Sequence, residues 1–218
     1  MCSGEIAALL LEHGADGTAL YRGHSAYAFA RVYGNAAVAH VLEAAGQATA
    51  LDEAETLLAV AAEGACEGQI DPAALSDEMK RIMTRILGFS EQPLPHVQRL
   101  AALGIDPDWT EEMGLTALHM AGWEGHAGVV EWLLGQSPDL DHVNDYGGDL
   151  LSTIIHGAEF SANRAQRDHL RCATLALQAG CQTTAREIEL CGDEDMAALL
   201  QDWVEAHPDA VKPDWPET

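Results

Sequence analysis

Apolar residues along this chain come in short runs with a helical spacing of three to four residues, and glycines or polar residues separate the runs. The pattern predicts a series of units, each with a turn, an inner helix, a tight bend, an outer helix and a glycine stop. Side chains able to cap an inner helix are Ser25, Thr56, Thr116 and Asp149. Glycines placed to end an outer helix in the left-handed conformation are Gly14, Gly46, Gly104 and Gly180.

The predicted units recur with a fixed period. Gly114 and Gly147 are 33 residues apart, and so are Leu118 and Leu151, with no gap between the two segments. Upstream, residues 23–46 align with residues 114–137 position by position, so that the central glycines coincide. Self-similarity at this period is the sequence signature of a stacked repeat array.

The segment from Gly114 to Leu134 resembles the ankyrin repeat, which has a 33-residue period and a Thr-Pro-Leu-His core. The residues that carry the resemblance are Thr116, Leu118, His119, Gly125 and His126, whereas Ala117 occupies the proline position. The resemblance implies an all-α ankyrin solenoid of about four to five helix-turn-helix units. It also implies that Thr116 caps the inner helix and that His119 bonds to turn backbone, which makes both histidines structural.

Two insertions interrupt the predicted array, both at the bend between an inner and an outer helix. The first covers about residues 65–93 and contains a predicted helix that begins after Ser76 and stops at Gly88, and the second covers residues 159–166. We expect a single array over residues 1–207 and a carboxy-terminal tail over residues 208–218. Residues 4–16 resemble an outer helix without an inner partner, which predicts irregular packing, or a cover from upstream sequence or another chain.

The charge of the chain limits its partners. With 35 acidic and 11 basic residues and a formal net charge of -24, the chain repels phosphate backbones and anionic lipids, so we expect no nucleic acid and no membrane partner. The acidity suits a basic protein partner, but a solvated acidic surface that maintains solubility explains the same composition. Basic residues of the insertions either pair with the array itself or bind an acidic partner: Lys80, Arg81, Arg85, Arg164 and Arg167.

No short motif predicts a metal or a cofactor. His119 and His126 lie seven residues apart across a bend, rather than four apart on one helix face as in a zincin site. The acidic run 139–150 has Val143 and Leu150 where a calcium loop needs oxygen ligands. Five scattered cysteines without a CxxC pair fit reduced thiols. Because no basic segment precedes the short apolar run near the start, a cytoplasmic location is the default expectation.

The predicted function is a noncatalytic protein–protein interaction module that presents a rigid acidic and aromatic surface to a basic partner. The alternatives are an inhibitor or immunity-type protein that masks a basic enzyme or toxin, and an enzyme that uses histidines and acids near the insertions, such as His156 or His169. The resemblance implies contact through turn tips and inner helices, with Trp123 and Tyr146 as anchors. The matching positions are Tyr21, Arg22, His24, Tyr33, Asp52, Glu53, Glu55, Glu112, Met113, Leu115, Trp123, Glu124, Asp145, Tyr146 and His156.

Overall fold

The computed structural model of the protein describes residues 2–213, which are predominantly α-helical. The chain divides into two compact units, Met1–Asp106 and Pro107–Thr218, which we call the amino-terminal and the carboxy-terminal unit. The helical content confirms the predicted all-α class. The expected boundary between the array and a tail at residue 207 stays a prediction.

The amino-terminal unit holds seven α-helices and one two-stranded hairpin within its described residues. Their bounds are α1 Gly4–Glu12, β1 Leu20–Tyr21, β2 His24–Ser25, α2 Ala26–Val32, α3 Ala36–Ala44, α4 Glu53–Ala62, α5 Asp77–Lys80, α6 Ile82–Leu87 and α7 Leu94–Ala102. The hairpin pairs Leu20 with Ser25 and Tyr21 with His24. Its two turn residues, Arg22 and Gly23, both have positive φ, as the twist of a two-residue hairpin requires.

The carboxy-terminal unit consists of three successive helix pairs in its described part. Their bounds are α8 Ala117–Trp123, α9 Ala127–Leu134, α10 Leu150–Phe160, α11 His169–Gln178, α12 Ala185–Leu190 and α13 Glu194–Ala206. The inner helices α8 and α10 pack on each other, as do the outer helices α9 and α11. Short 3-10 turns at Arg164–Gln166 and Pro208–Ala210 complete the unit.

Three of the four predicted inner-helix caps are confirmed. The side chains of Ser25, Thr116 and Asp149 each accept a hydrogen bond from the backbone N–H three residues later. Thr56 was a wrong assignment, because α4 begins four residues earlier: Asp52 is its cap, and Thr56 lies within the helix. The four predicted stop glycines, Gly14, Gly46, Gly104 and Gly180, all have positive φ.

His119 is a buried structural side chain, and its hydrogen bond with the backbone of His142 in the next turn agrees with the predicted bond to turn backbone. Its Nδ1 lies 2.9 Å from the hydroxyl of Thr116, and its ring meets the ring of His142 edge-on with centroids 5.4 Å apart. His142 makes a second bond between the two turns, because its Nε2 donates to the carbonyl oxygen of Gly114 at 2.7 Å. Burial lowers the pKa of His119 to about 4, and the neighbouring His142 ring adds to that effect.

The first insertion is part of the core of the amino-terminal unit. Its predicted single helix is two helices, α5 and α6, divided at Arg81. Apolar side chains along both are almost completely buried: Met79, Ile82, Met83, Ile86 and Leu87. Gly88 ends α6 with an ordinary right-handed φ, so it is not a left-handed stop.

The second insertion begins later than the sequence indicates, because α10 continues to Phe160. Gly157 is therefore not a bend residue but lies inside α10. A Cβ at Gly157 would overlap the backbone carbonyl group of Trp123, so this glycine allows α10 and α8 to approach closely.

The two ends of the described chain differ in how they are covered. On α1, the side chains of Ile6, Leu9 and Leu10 are each more than half exposed, so the predicted cover from another chain or upstream sequence stays a prediction. At the other end, Thr183 pairs with Val211, and the Lys212 ammonium forms an ion pair with Asp149. Residues 214–218, which include Pro216 of the expected tail, lie outside the described residues.

Candidate functional site

The predicted contact residues fall into three groups by exposure. Buried members cannot present a side chain on an open surface, which corrects their assignment: His24, Glu55 and Glu124. Half-buried members are Tyr33, Leu115 and Trp123. Exposed members are Tyr21, Arg22, Asp52, Glu53, Glu112, Met113, Asp145, Tyr146 and His156.

Four of these residues line one groove in the carboxy-terminal unit. The groove encloses about 600 Å³ and lies along the inner helices α8 and α10 and the turn between residues 144 and 148. Its predicted members are Leu115, Trp123, Tyr146 and His156. Its further members are Met120, Asn144, Gly147, Gly148, Ser152, Thr153 and Glu187.

Tyr146 is held at the tip of its turn by a buried asparagine. The side-chain oxygen of Asn144 accepts hydrogen bonds from the backbone N–H of Tyr146 at 2.9 Å and of Gly148 at 3.1 Å. The amide nitrogen of Asn144 donates to the hydroxyl of Thr153 at 3.3 Å, which ties the turn to α10. The turn is thus fixed while 72% of the Tyr146 surface stays exposed, so a large aromatic ring is offered on a rigid support.

Trp123 lies at the end of α8, where its backbone is fixed from two sides. Gly157 of α10 approaches its carbonyl group, and His169 Nε2 donates to the same carbonyl oxygen at 2.9 Å. Its half-buried indole lines the groove beside Met120 and Leu115. Trp123, Met120 and Leu115 thus form an apolar surface on ordered backbone, which is the kind of surface that binds an apolar group.

A second depression of about 320 Å³ shares Ser152, His156 and Glu187 with the groove and extends it toward α12. It is lined further by Ile155, Glu159, Thr184, Arg186, Leu190 and Cys191. None of these further residues is among the contact residues predicted from the sequence. The signal that could have identified them is the repeat position of α12, since the inner helices α8 and α10 of this unit line the groove.

Acidic side chains lie around the groove, and Arg186 is a basic member of the second depression. Glu187 lines both depressions, and the exposed carboxylates Glu112 and Asp145 lie on the adjoining turns. Asp149 nearby is less available to a ligand, because Lys212 neutralises it. Burial works to raise the pKa of Asp149, but its bonds with Lys212 and Ser152 outweigh burial and lower that pKa.

In the amino-terminal unit, the first insertion covers several of the predicted contact residues. Ser76 bonds to His24, and Glu78 pairs with Arg22 at 2.9 Å. The Tyr33 ring meets the Phe89 ring edge-on with centroids 5.8 Å apart, and burial raises the pKa of Tyr33 to about 12. His24, Tyr33 and the turn of the hairpin are therefore occupied from within the chain.

The two histidines named as candidates for chemistry bond to the backbone of their own unit. His156 Nδ1 lies 3.0 Å from the carbonyl oxygen of Ser152, and His169 Nε2 bonds to Trp123. Among residues 2–213, no three His, Cys, Asp or Glu side chains come together in a way that could hold a metal ion. No helix in the same range is long and apolar enough to cross a membrane.

Comparison with known proteins agrees with the repeat geometry. A family model described as the ankyrin repeat matches residues 113–145, which include Thr116, Leu118, His119, Gly125 and His126. The chain is also similar to NF-kappa-B inhibitor delta of Mus musculus, with 29% identity over 119 residues. That match covers 48% of this chain and 35% of the relative, so the chain spans about a third of the relative's length.

Proposed function

We propose that the carboxy-terminal unit, which contains the ankyrin repeat at residues 113–145, acts as a noncatalytic module that binds a partner protein through its groove. The observation that carries the proposal is the groove of about 600 Å³, in which Trp123 and Tyr146 are presented on fixed backbone. Aromatic side chains of this kind supply much of the energy at protein interfaces. The remaining lining gives apolar contact and a few polar groups that set orientation.

The closed face of the amino-terminal unit supports the choice of this groove. Removing the first insertion from its place would expose five apolar side chains that are now buried. At roughly 1.5–3 kcal/mol for each side chain, that exposure would cost on the order of 10 kcal/mol. A partner that displaced the insertion would have to supply this free energy in addition to the roughly 8–12 kcal/mol of ordinary net affinity, so we infer that the insertion stays in place.

We propose that the partner segment carries an apolar anchor next to Lys or Arg. The anchor would contact Trp123, Tyr146 and Leu115, while Glu187, Glu112 and Asp145 attract the basic residue. The net charge of -24 adds attraction at long range. Binding should therefore weaken as salt is raised, mainly through a slower association rate.

We also propose a cytoplasmic location. The five cysteines are scattered and unpaired, and Cys172 and Cys181 are buried where oxidation cannot reach them easily. Thiols of this kind persist in a reducing compartment. Fractionation of native cells with an antibody to the protein tests this location.

A photo-crosslinking residue at position 146 tests the groove directly. The full-length protein with p-benzoylphenylalanine in place of Tyr146 is illuminated in native extract, and the attached protein is identified. Affinities of the purified partner are then measured for the wild type, Trp123→Ala and Tyr146→Ala. We expect each truncation to weaken binding by about 30-fold or more, as at an interface hot spot.

A matched control uses an exposed apolar residue on an outer helix. Leu170 of α11 is 39% exposed and lies outside the groove, so Leu170→Ala should bind as the wild type does. If Tyr146→Ala and Leu170→Ala bind equally well, the groove is not the binding site.

Inhibition is a second candidate function, and the similarity to a protein named as an inhibitor favours it. In this version the bound segment is one that the partner needs for its own activity. We expect stoichiometric loss of the partner's activity with the wild type and recovery with Trp123→Ala. If the partner keeps full activity at saturating wild-type protein, the protein binds its partner without inhibiting it.

A further inference from the structure

A serine, a histidine and a glutamate of the amino-terminal unit form a continuous hydrogen-bonded chain. His24 Nδ1 lies 2.6 Å from a carboxylate oxygen of Glu55, and His24 Nε2 lies 2.7 Å from the hydroxyl oxygen of Ser76. The three residues come from the hairpin, from α4 and from the first insertion, so the tertiary fold brings them together.

The hydrogen-bond chemistry of this cluster fixes the direction of its protons. A carboxylate only accepts, so the His24 proton lies on Nδ1 and points to Glu55. In the neutral ring His24 Nε2 is then an acceptor, and the Ser76 hydroxyl donates to it. The order is that of a nucleophile, a general base and an orienting acid.

Each member of the cluster is held in place by a further contact. The second carboxylate oxygen of Glu55 accepts from the backbone N–H of Asp52 at 3.0 Å. The hydroxyl oxygen of Ser76 accepts from the backbone N–H of Met79 at 3.2 Å, which leaves its proton for His24. The His24 ring meets the ring of Phe29 edge-on with centroids 5.8 Å apart.

We propose that Ser76 is an activated nucleophile that takes an acyl group from small activated esters, with His24 as general base and Glu55 as the residue that positions it. Ser76 is half-buried, whereas His24 and Glu55 are buried, so Ser76 is the most exposed member of the cluster. The exposed Leu20 and Tyr21 of the adjoining hairpin offer an apolar surface for a small acyl or alkyl group.

The proposed reaction is an ordinary acyl transfer. The Ser76 oxygen attacks the ester carbonyl and forms the new C–O bond, while His24 Nε2 takes the hydroxyl proton. The bond to the leaving alkoxide then breaks, and the same proton passes from Nε2 to that alkoxide. Water, deprotonated by His24, attacks the acyl-serine, releases the carboxylic acid and restores Ser76.

Two other serines that begin helices provide an internal comparison. Ser3 caps α1 and is exposed, and its hydroxyl oxygen accepts a hydrogen bond from the backbone N–H of Ile6. Ser25 caps α2, where its hydroxyl bonds to the hydroxyl of Thr49 instead of an imidazole. Exposure or capping alone would thus favour Ser3, whereas activation by a base favours Ser76.

Labelling with a fluorophosphonate tests the proposal in the full-length protein. The Ser76 oxygen would form a bond to phosphorus and displace fluoride, and peptide mass spectrometry would locate the adduct. We expect Ser76 to react at least tenfold faster than Ser3, and hydrolysis of p-nitrophenyl acetate to depend on Ser76. General-base assistance typically contributes about a hundredfold or more, so His24→Gln should slow labelling by about that factor.

The control variants preserve the local fold. Ser76→Asn keeps a capping oxygen but has no nucleophile, and it should lose both label and esterase activity. Glu55→Gln keeps a capping side chain but removes the charge that faces His24, and it should lower the labelling rate at least tenfold. Equal labelling of Ser76 and Ser3, or full labelling in a folded His24→Gln variant, would overturn the proposal. Neither result bears on the groove, whose residues lie in the other unit.

Discussion

In the amino-terminal unit an insertion packs against the hairpin and inner helix, whereas in the carboxy-terminal unit the inner helices line an open groove. Both units contain helix pairs with glycine stops, so the difference lies in the residues placed between inner and outer helices. The first insertion supplies Ser76, Glu78 and Phe89 as contacts to the repeat surface. The second supplies a short turn around residues 164–166, and its Asn163 bonds to Glu124, which lies outside the groove.

The comparison teaches that a place near the end of an inner helix does not by itself determine whether a side chain can bind a partner. Tyr33 follows the last residue of α2 and Trp123 is the last residue of α8, so the two aromatic side chains lie one repeat position apart. Tyr33 contacts Phe89 of its own chain, while Trp123 lines a groove that is open to a ligand. The two side chains differ because a residue distant in sequence, Phe89, packs against Tyr33.

The largest expected effect comes from testing whether the first insertion is core. Ile86 is fully buried, so Ile86→Ala should lower the free energy of unfolding by about 2–5 kcal/mol. Phe160, next to the second insertion, is 59% exposed, and Phe160→Ala should change stability by only about 0.5 kcal/mol. Urea denaturation followed by circular dichroism measures both. Equal, small effects would mean that the first insertion is a loose cover and that the two faces are alike.

Acid should weaken the carboxy-terminal unit through His119. Its pKa is about 4 in the folded protein against 6.5 for the free group, so below pH 6.5 the unfolded chain binds a proton that the folded chain does not. The contribution of His119 to the free energy of unfolding is therefore complete above about pH 6.5, and about 3 kcal/mol of it is lost as the pH falls toward 4. The four tryptophans among residues 2–213 all lie in this unit, so tryptophan fluorescence during urea denaturation reports on it.

His119→Gln provides the control for this acid effect. The variant should be less stable than the wild type at pH 7.5, but its stability should fall less between pH 6.5 and pH 4.5. In the amino-terminal unit, burial also lowers the pKa of His96 to about 4, so His96→Gln should reduce the acid effect there. An unchanged pH dependence in His119→Gln would show that the pKa of this ring is the same in the folded and the unfolded chain.

Gly157→Ala should distort the groove, because the substitution lies where α10 packs against α8. The added Cβ would meet the backbone of Trp123, so α10 and α8 must separate, at a cost of about 1–3 kcal/mol and with a shift in tryptophan emission. Gly88 of the amino-terminal unit has a right-handed φ, and a Cβ there makes only ordinary contact. Gly88→Ala should therefore be neutral or slightly stabilising. Equal melting temperatures for the two variants would contradict the close approach at Gly157.

Local features of the fold were predictable because neighbouring residues determine them. Thr116 and Asp149 cap their helices through bonds to backbone three residues away, and stop glycines such as Gly46 act within one turn. The periodic spacing therefore identified helices and repeat type. Asp52 was missed in favour of Thr56 because both are capping side chains, and only the helix start distinguishes them.

The candidate site was predictable only in part, since exposure depends on distant segments. Trp123, Tyr146, Leu115 and His156 were assigned by repeat position, and the structure brings these four together. The burial of His24 comes from contacts made by residues 52 and 31 positions away, Ser76 and Glu55, which no repeat spacing encodes. Gly157 lies close to Trp123 for the same reason: helix packing, not local pattern, fixes the distance.

The smallest expected effect compares one local device in the two settings. Glu55 and Glu187 each complete a capping box, with Asp52 and Thr184 respectively. Glu55 is buried and bonds to His24, whereas half-buried Glu187 lines the groove and bonds to the Thr183 hydroxyl at 3.2 Å. Glu55→Ala leaves a buried imidazole without its partner, so it should cost about 1 kcal/mol more than Glu187→Ala. Thermal unfolding at pH 7.5 measures the stability of both variants. Equal losses of stability would show that burial beneath the first insertion does not strengthen the Glu55–His24 hydrogen bond.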